Sequence, residues 1–249
     1  MERDRFLAHT RWLLAGAARY PRYAWRLLTR PALVRLHGVA IEVAPDATPA
    51  LRRALYSERY ERGEARCVLL RVEPGDVVLE IGAGLGLLST LCALRVGSER
   101  VTAYEANPAL IPRIRATHSA NGVAPQLVHA VLARNAGEAE LWVEGEFVAS
   151  SLLRRSNSAT RVRVPQHAAS EVIARVKPSC LIVDIEGGEV ELLPAIDLRG
   201  VRKLILELHP DRIGETRAAM LVTWLTAQGL CEDRSISSTR KKFFARTPA

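Results

Sequence analysis

Two hydrophobic patterns alternate along this chain: short, mostly apolar runs, and longer segments in which apolar residues recur every three or four positions. The clearest run is Val77–Ile81, which follows Pro74-Gly75, contains one polar residue and ends at a glycine. Such a run is typical of a strand buried on both faces of a parallel sheet. From Leu85 to Val96 the apolar residues instead fall on one helical face. These patterns predict a strand followed directly by a helix.

The same reasoning predicts the other elements. Strands are expected at 39–43, 100–105, 127–132, 140–143, 180–188 (with its turn), 201–210, 230–236 and 241–246. Helices are expected at 51–70, 108–120, 168–176 and 215–228, and a loop at 150–160. Strands that alternate with helices and end in a hairpin indicate an α/β fold, a doubly wound seven-stranded sheet with one antiparallel edge strand. In this topology the strand at 77–81 lies beside the strand at 180–188.

The turn after the first strand contains three glycines, Gly82, Gly84 and Gly86. Glycines let the backbone approach a ligand closely, and the following helix N-terminus favours a nucleotide-type site. A dinucleotide fingerprint would place its third glycine one position later, where Leu87 stands. The observed spacing, with Glu80 two places before the first glycine, resembles that of S-adenosylmethionine methyltransferases. The carboxylate of Glu80 could orient the loop or the cationic end of that cofactor; the alternative is a strand–turn–helix without a ligand.

Acidic residues and one histidine follow later strands. Glu105 ends the second strand of the series and is placed to accept hydrogen bonds from both hydroxyls of a ribose. Asp184 and Glu186 end the fourth strand, and Glu207 and His209 end the fifth. Because strand side chains alternate and parallel strands end at one edge, these four groups are expected to gather beside the glycine turn. Their burial would raise carboxyl pKa values, as a general base requires.

Each of these groups has a second interpretation. Glu207 could be a structural carboxylate, and His209 could simply cap the end of its strand before Pro210. The four groups could also bind a hard divalent ion, although nothing in their spacing demands one. The leading interpretation therefore assigns no metal and takes Asp184, His209 and Glu186 as the catalytic candidates.

Four motifs together resemble the FkbM family of class I S-adenosylmethionine methyltransferases. They are Glu80-Ile-Gly-Ala-Gly-Leu-Gly, Tyr104-Glu-Ala-Asn-Pro, Ile182-Val-Asp-Ile-Glu-Gly-Gly-Glu and Leu206-Glu-Leu-His-Pro, and the pair Tyr60-Glu61 is similar too. The resemblance implies S-adenosylmethionine as cofactor and O-methylation of a small molecule such as a sugar or secondary metabolite. It implies cofactor contacts from Glu80, Gly82, Ala83, Gly84, Gly86, Glu105, Ala106, Asn107, Ala130, Asp184 and Tyr60. Many members have Asn at the position of Gly84, which leaves the acceptor open.

Charge separates residues 1–38, an N-terminal arm, from residues 39–249, the expected methyltransferase domain. The chain has a net charge of +8, and the arm holds eight arginines against two acidic residues. Two helices broken at Pro21 are expected there. Their arginines and aromatic residues suit a membrane surface or an acidic partner, whereas packing on the same domain or on a second subunit is favoured.

Cysteine spacing and the motifs that are lacking narrow the possible cellular settings and substrates. The four cysteines are far apart without a Cys-x-x-Cys pair, so a reduced, cytoplasmic setting is expected. Methylation of RNA or protein is supported only by the basic arm, and we do not expect nucleic acid as a partner. No Asn-Pro-Pro-Tyr or Pro-Cys motif of base methyltransferases is present. A membrane-surface protein that keeps the fold without catalysis is the remaining alternative.

Overall fold

A computed structural model describes residues 19–143, 150–151 and 160–246. Its strands are β1 Leu33–Leu36, β2 Val39–Glu42, β3 Val78–Ile81, β4 Val101–Glu105, β5 Gln126–His129, β6 Val131–Ala133, β7 Gly137–Val143, β8 Ser150–Ser151, β9 Thr160–Ala168, β10 Cys180–Val183, β11 Lys203–Glu207, β12 Leu230–Glu232 and β13 Lys241–Arg246. Its α-helices are α1 Arg19–Thr29, α2 Pro49–Tyr56, α3 Arg62–Arg71, α4 Leu87–Val96, α5 Ile111–Ala120, α6 Ala169–Val176, α7 Glu189–Leu192, α8 Pro210–Ile213 and α9 Glu215–Ala227.

Seven strands form the central sheet in the order β12-β13-β11-β10-β3-β4-β5. β11, β10, β3, β4 and β5 pair in parallel, and β13 is antiparallel to both of its neighbours. The α/β fold class and the adjacency of β3 and β10 are therefore confirmed. The antiparallel strand lies one place in from the predicted edge, because β12 occupies the edge itself.

The central strands are apolar because helices cover both faces of the sheet. Every residue of β3 and of β10 is buried. One hydrophobic layer contains Ile41, Leu55, Leu88 and Ile114, and the other contains Leu79, Leu181, Leu204 and Leu225. Burial on both faces fixes the register of the parallel strands, and thus brings their carboxyl ends together at one edge.

Two predicted elements are divided in the structure, and one long strand was not predicted. The segment 51–70 was expected as one helix, but it is interrupted at residues 57–61, where Glu58 and Glu61 have φ angles of 58° and 44°. The single strand expected at 127–132 is split into β5 and β6, which belong to different sheets. β9, a nine-residue strand, was not predicted; it pairs with β6 and β7 in a second, four-stranded sheet. Of the expected loop at 150–160, residues 152–159 lie outside the described residues.

The described part of the arm contains helix α1 and strand β1, and α1 packs on the same chain. α1 runs without interruption through Pro21 from Arg19 to Thr29, so within the described residues the predicted break does not fall at this proline. Residues 1–18, including most of the first predicted arm helix, lie outside the described residues. Within the part of the chain that is described, no helix has the length and apolar character needed to cross a bilayer.

Candidate active site

The glycine turn after β3 is built on positive φ angles that glycine tolerates best. Gly82, Gly84 and Gly86 have φ of 91°, 56° and 78°. The N–H groups of Gly82 and Ala83 donate to the carbonyl of Tyr104, at 2.9 and 3.1 Å. A Cβ on Gly82 would overlap the carbonyl oxygen of Asp184. The turn therefore packs closely between the ends of β4 and β10.

Two buried side chains fix the shape of this turn. The carboxylate of Glu105 accepts hydrogen bonds from the N–H of Gly84 at 2.9 Å and from that of Asn107 at 2.7 Å. The hydroxyl of Tyr60 accepts one from the N–H of Leu85 at 3.0 Å. The N–H groups of Ala106 and Ala83 also interact with this carboxylate, and its acceptance of hydrogen bonds from a ribose stays a prediction. The break between α2 and α3 is what brings Tyr60 to the turn.

A cavity of about 600 Å³ opens at the carboxyl edge of the sheet. Seven predicted site residues line it: Gly82, Gly84, Glu105, Ala106, Ala130, Asp184 and Glu186. Six others are outside its lining: Tyr60, Glu80, Ala83, Gly86, Asn107 and His209. Asn107 instead accepts a hydrogen bond from the N–H of Ala109 at 3.0 Å and stabilises its own turn. Direct ligand contact by these six stays a prediction.

At the ends of β10 and β11, His209 lies among four carboxyl groups. Its Nδ1 is 2.8 Å from Oε1 of Glu189, and its Nε2 is 3.4 Å from Oε2 of Glu186. From the same Nε2, Oδ1 of Asp184 is 3.7 Å away and Oε1 of Glu207 is 4.0 Å away. The imidazole is only 3% exposed. The predicted gathering of ionisable groups at this edge is thus present in the structure.

Burial and mutual repulsion shift the pKa values of these groups. Burial raises the pKa of Asp184 well above its usual value, and Glu207 adds to the rise. Burial would lower the pKa of His209, but the hydrogen bond to Glu189 and the charge of Asp184 outweigh it, so the pKa is raised. Both directions suit groups that exchange a proton near neutral pH.

A second group of charged side chains contacts Glu207 of the first group. The ammonium of Lys241 contacts Glu64 and lies 2.9 Å from Oε2 of Glu207. Burial raises the pKa of Glu64 to about 7, and Lys241 opposes that rise. Burial would also raise the pKa of Glu207, but Glu64, Lys241 and His209 together lower it. Glu207 therefore stays ionised while Glu64 is close to its titration point at neutral pH.

Sequence reasoning missed several members of this site. Glu189 was quoted within a motif but given no role, although it is fully buried and positions His209. Glu61 lines the cavity next to Gly84, and Lys241 comes from a strand at the far end of the chain. The left-handed φ of Glu61 and the pairing of β13 with β11 place these two residues. Glu61 was quoted in the pair Tyr60-Glu61 but given no role, and Lys241 has no signal in the local sequence.

Comparison with known proteins decides the family. The model of the methyltransferase FkbM domain matches residues 77–229, more than half of the chain. The chain belongs to the FkbM methyltransferase family. This membership confirms the resemblance seen in the four motifs. The matched segment contains strands β3 to β11. No curated protein matches the chain.

Solved methyltransferase structures are similar to this FkbM methyltransferase at low sequence identity. The tRNA (uracil-54, C5)-methyltransferase of Pyrococcus abyssi, solved with S-adenosyl-L-homocysteine, is 13% identical over 86% of this chain and 43% of its own, with a TM-score of 0.48. Precorrin-6y C5,15-methyltransferase of Geobacter metallireducens is 15% identical over 83% and 94%, with a TM-score of 0.47. A methyltransferase of Pyrococcus furiosus is 16% identical over 93% and 100%, with a TM-score of 0.46. The chain thus spans less than half of the P. abyssi enzyme.

The residues of the FkbM domain suit S-adenosylmethionine, whose methionine end carries a sulfonium and an ammonium. Oε2 of Glu61 and Oδ1 of Asp184 belong to cavity-lining residues, are shielded from solvent and have no hydrogen-bond partner among the described residues. Both carboxyl oxygens of Glu80, which lies outside the cavity lining and just behind the turn, are also shielded from solvent and lack a hydrogen-bond partner among the described residues. Ser89 lies close enough to oppose the rise in the pKa of Glu80. Burial raises the pKa of Glu80 to about 8. A cationic ligand would stabilise the ionised forms of these carboxyl groups.

Proposed function

We propose that this chain transfers the methyl group of S-adenosylmethionine to a hydroxyl oxygen of a small molecule. One observation carries the proposal: Asp184 and Glu186 line the same cavity as Gly82, Gly84 and Glu105. One cavity is therefore lined both by the residues expected to hold the cofactor and by ionisable groups that could take a proton. A hydroxyl acceptor needs such a pairing, because it must lose a proton as the methyl group arrives.

The chain's own residues would divide this work between binding and proton transfer. S-adenosylmethionine supplies a methyl group activated by a sulfonium. The glycine turn and Glu105 would hold the cofactor, and alignment of the two reactants supplies much of the rate. The acceptor's proton would pass to Asp184 or to His209, both at the end of the neighbouring strands. Asp184 is the stronger candidate because it lines the cavity, whereas His209 lies behind it.

The size of the cavity and the use of the arm's arginines support a small acceptor. A space of about 600 Å³ is within the range of small-molecule sites. Arg22 and Arg26 of α1 both bind the carboxylate of Glu58 in the same chain, so these two side chains are already engaged within the fold. Methylation of RNA or protein remains the alternative, and the test must include both.

The experiment is an assay of S-adenosylhomocysteine formation by the full chain over panels of sugars, hydroxylated secondary metabolites, RNA and proteins. We expect turnover on at least one small hydroxyl compound and none on RNA or protein. Asp184→Asn should abolish that turnover, and the exposed Asp211→Asn should serve as the matched control. Turnover on RNA or protein alone would contradict the proposal.

A further inference from the structure

The Nε2 atom of His209 faces three carboxylate oxygens and hydrogen-bonds to no described residue. The oxygens belong to Glu186, Asp184 and Glu207, at 3.4, 3.7 and 4.0 Å. Hydrogen bonds of the N–H···O kind are about 2.7–3.2 Å long, so these separations exceed that range. The other ring nitrogen is occupied by Glu189. A 97%-buried imidazole thus directs into an acidic cluster a nitrogen whose contacts there are the three longer ionic ones.

These separations are close to those of ligand atoms that share one metal ion. Atoms bound at about 2.1 Å lie roughly 3.0–3.4 Å apart as neighbours and roughly 4.2 Å apart across the ion. The ligand atoms of Asp184, Glu207 and His209 all lie within 4.8 Å of one another. Oδ1 of Asp184 is also shielded from solvent and has no hydrogen-bond partner among the described residues.

The two nearby basic side chains, Lys241 and Arg212, contact other carboxyl groups than that of Asp184. Lys241 is shared between Glu64 and the second oxygen of Glu207, and Arg212 contacts Glu186. Among the described residues, neither cation reaches Asp184. In the part of the chain that the structure describes, His209 is thus the only basic side chain in ionic contact with Asp184.

We propose that a divalent cation binds between Oδ1 of Asp184, Oε1 of Glu207 and Nε2 of His209. Two carboxylate oxygens with one imidazole nitrogen suit a first-row ion such as Mn²⁺ or Zn²⁺. Glu189 is the positioning residue, since its bond to Nδ1 orients the ring toward the cation, as carboxylates do in many metal sites.

The role of the cation, unlike its binding, rests on the proposed function. Because Asp184 lines the cavity, a bound cation can hold the acceptor's hydroxyl oxygen and lower its pKa. The O–H bond then breaks and its proton passes to Glu186, which lines the same cavity. The O–CH₃ bond forms as the S–CH₃ bond breaks, and S-adenosylhomocysteine remains. In this mechanism His209 is a ligand of the cation and not the base.

The test is a titration of the full chain, after dialysis against a chelator, with Mn²⁺ monitored by electron paramagnetic resonance. We expect one site per chain, weakened at least about tenfold by Asp184→Asn, Glu207→Gln or His209→Gln, and about 10–100-fold by Glu189→Gln. Asp211→Asn, an exposed aspartate outside the cluster, should bind Mn²⁺ as the wild type does. Circular dichroism and thermal unfolding identify any variant that fails to fold.

The outcomes separate this inference from the proposed function. Absence of Mn²⁺ and Zn²⁺ binding by the wild type, or binding unchanged in all three ligand variants, overturns the cation site. Methyl transfer that is unaffected by a chelator overturns its role alone. A chain that binds the cation at these residues but methylates no hydroxyl compound overturns the proposed function and leaves the site intact.

Discussion

The Nδ1 atom of His209 lies 2.8 Å from Oε1 of Glu189, which stands twenty positions earlier in the chain and is fully buried. The same oxygen accepts the N–H of Gly187 at 3.0 Å, so the carboxylate ties the turn after β10 to the end of β11. This contact fixes which ring nitrogen of His209 faces Asp184. Two strand ends are thereby held in one arrangement before any ligand arrives.

Variants at the two candidate bases should behave differently. We expect His209→Ala to lower kcat roughly 10²–10⁴-fold, the usual contribution of a group that assists proton transfer, with cofactor affinity kept. Asp184→Asn should lower cofactor or acceptor affinity as well as kcat, because its side chain lines the cavity. Steady-state kinetics and calorimetry measure both effects. A near-normal rate in His209→Ala would contradict a role for the histidine either as base or as cation ligand.

A methyl group on the glycine turn should block the cofactor. In Gly84→Ala the new Cβ would come 2.5 Å from Oη of Tyr60 and 2.9 Å from Oε1 of Glu61. Gly122→Ala is the matched control, since Gly122 has a similar φ of 66° and nothing within 4 Å of the added atom. Both variants carry a backbone strain of about 1 kcal/mol. By calorimetry, only Gly84→Ala should lose S-adenosylmethionine binding; equal losses would show that strain alone matters.

Asp76 should make stability depend on pH in the acid range. Its fully buried carboxylate accepts hydrogen bonds from Lys203 at 2.6 Å and from Ser179 at 2.8 Å. Burial acts to raise the pKa of Asp76, but these partners outweigh it and lower the pKa. A carboxyl pKa lowered by folding stabilises the fold above its unfolded value of about 3.9, and this stabilisation is lost as pH falls through the folded value.

Asp76→Asn should therefore cost about 2–4 kcal/mol of unfolding free energy at pH 7, as expected when a buried ion pair is broken. The difference between variant and wild type should shrink below about pH 4. Urea denaturation at several pH values measures this difference, with the exposed Asp211→Asn as the control. A difference that does not change with pH would show that the charge of Asp76 is not what stabilises the strand ends.

The docking of α1 should depend on the ion pairs that Arg22 and Arg26 form with Glu58. Arg22 and Arg26 donate to the buried carboxylate of Glu58 at 2.8–3.0 Å, and Glu58 lies two residues before Tyr60. Replacing both arginines with Met should destabilise the chain by about 1–3 kcal/mol, because a buried carboxylate loses its partners. Adding Glu58→Gln should recover part of this loss, and a thermodynamic cycle measures the coupling. Additive effects would mean that α1 docks by other contacts.

Sequence alone predicted the parts of the fold in which local pattern and burial agree. The β-branched runs of β3 and β10 are buried on both faces, and the glycine spacing after β3 encodes the turn that follows it. The prediction failed where distant contacts decide the backbone. Residues 57–61 leave the helix because Glu58 binds α1 and Tyr60 binds the glycine turn, and no local signal marks either contact.

The candidate site shows the same division. Asp184 and His209 were predicted because they follow apolar strands that end at one edge of the sheet. Glu189 and Lys241 were not, because their roles arise from a turn geometry and from the pairing of β13 with β11. Charge partners that come from separate elements are visible only after the chain has folded.

The most direct test of the proposed O-methylation is to follow a deuterated methyl group from S-adenosylmethionine into the product by mass spectrometry and NMR. The full chain should place the label on an oxygen of a small hydroxyl compound, with one S-adenosylhomocysteine formed per label transferred. Asp184→Asn should leave the acceptor unlabelled. Label found on a nitrogen or carbon atom, or only on RNA or protein, would contradict the account.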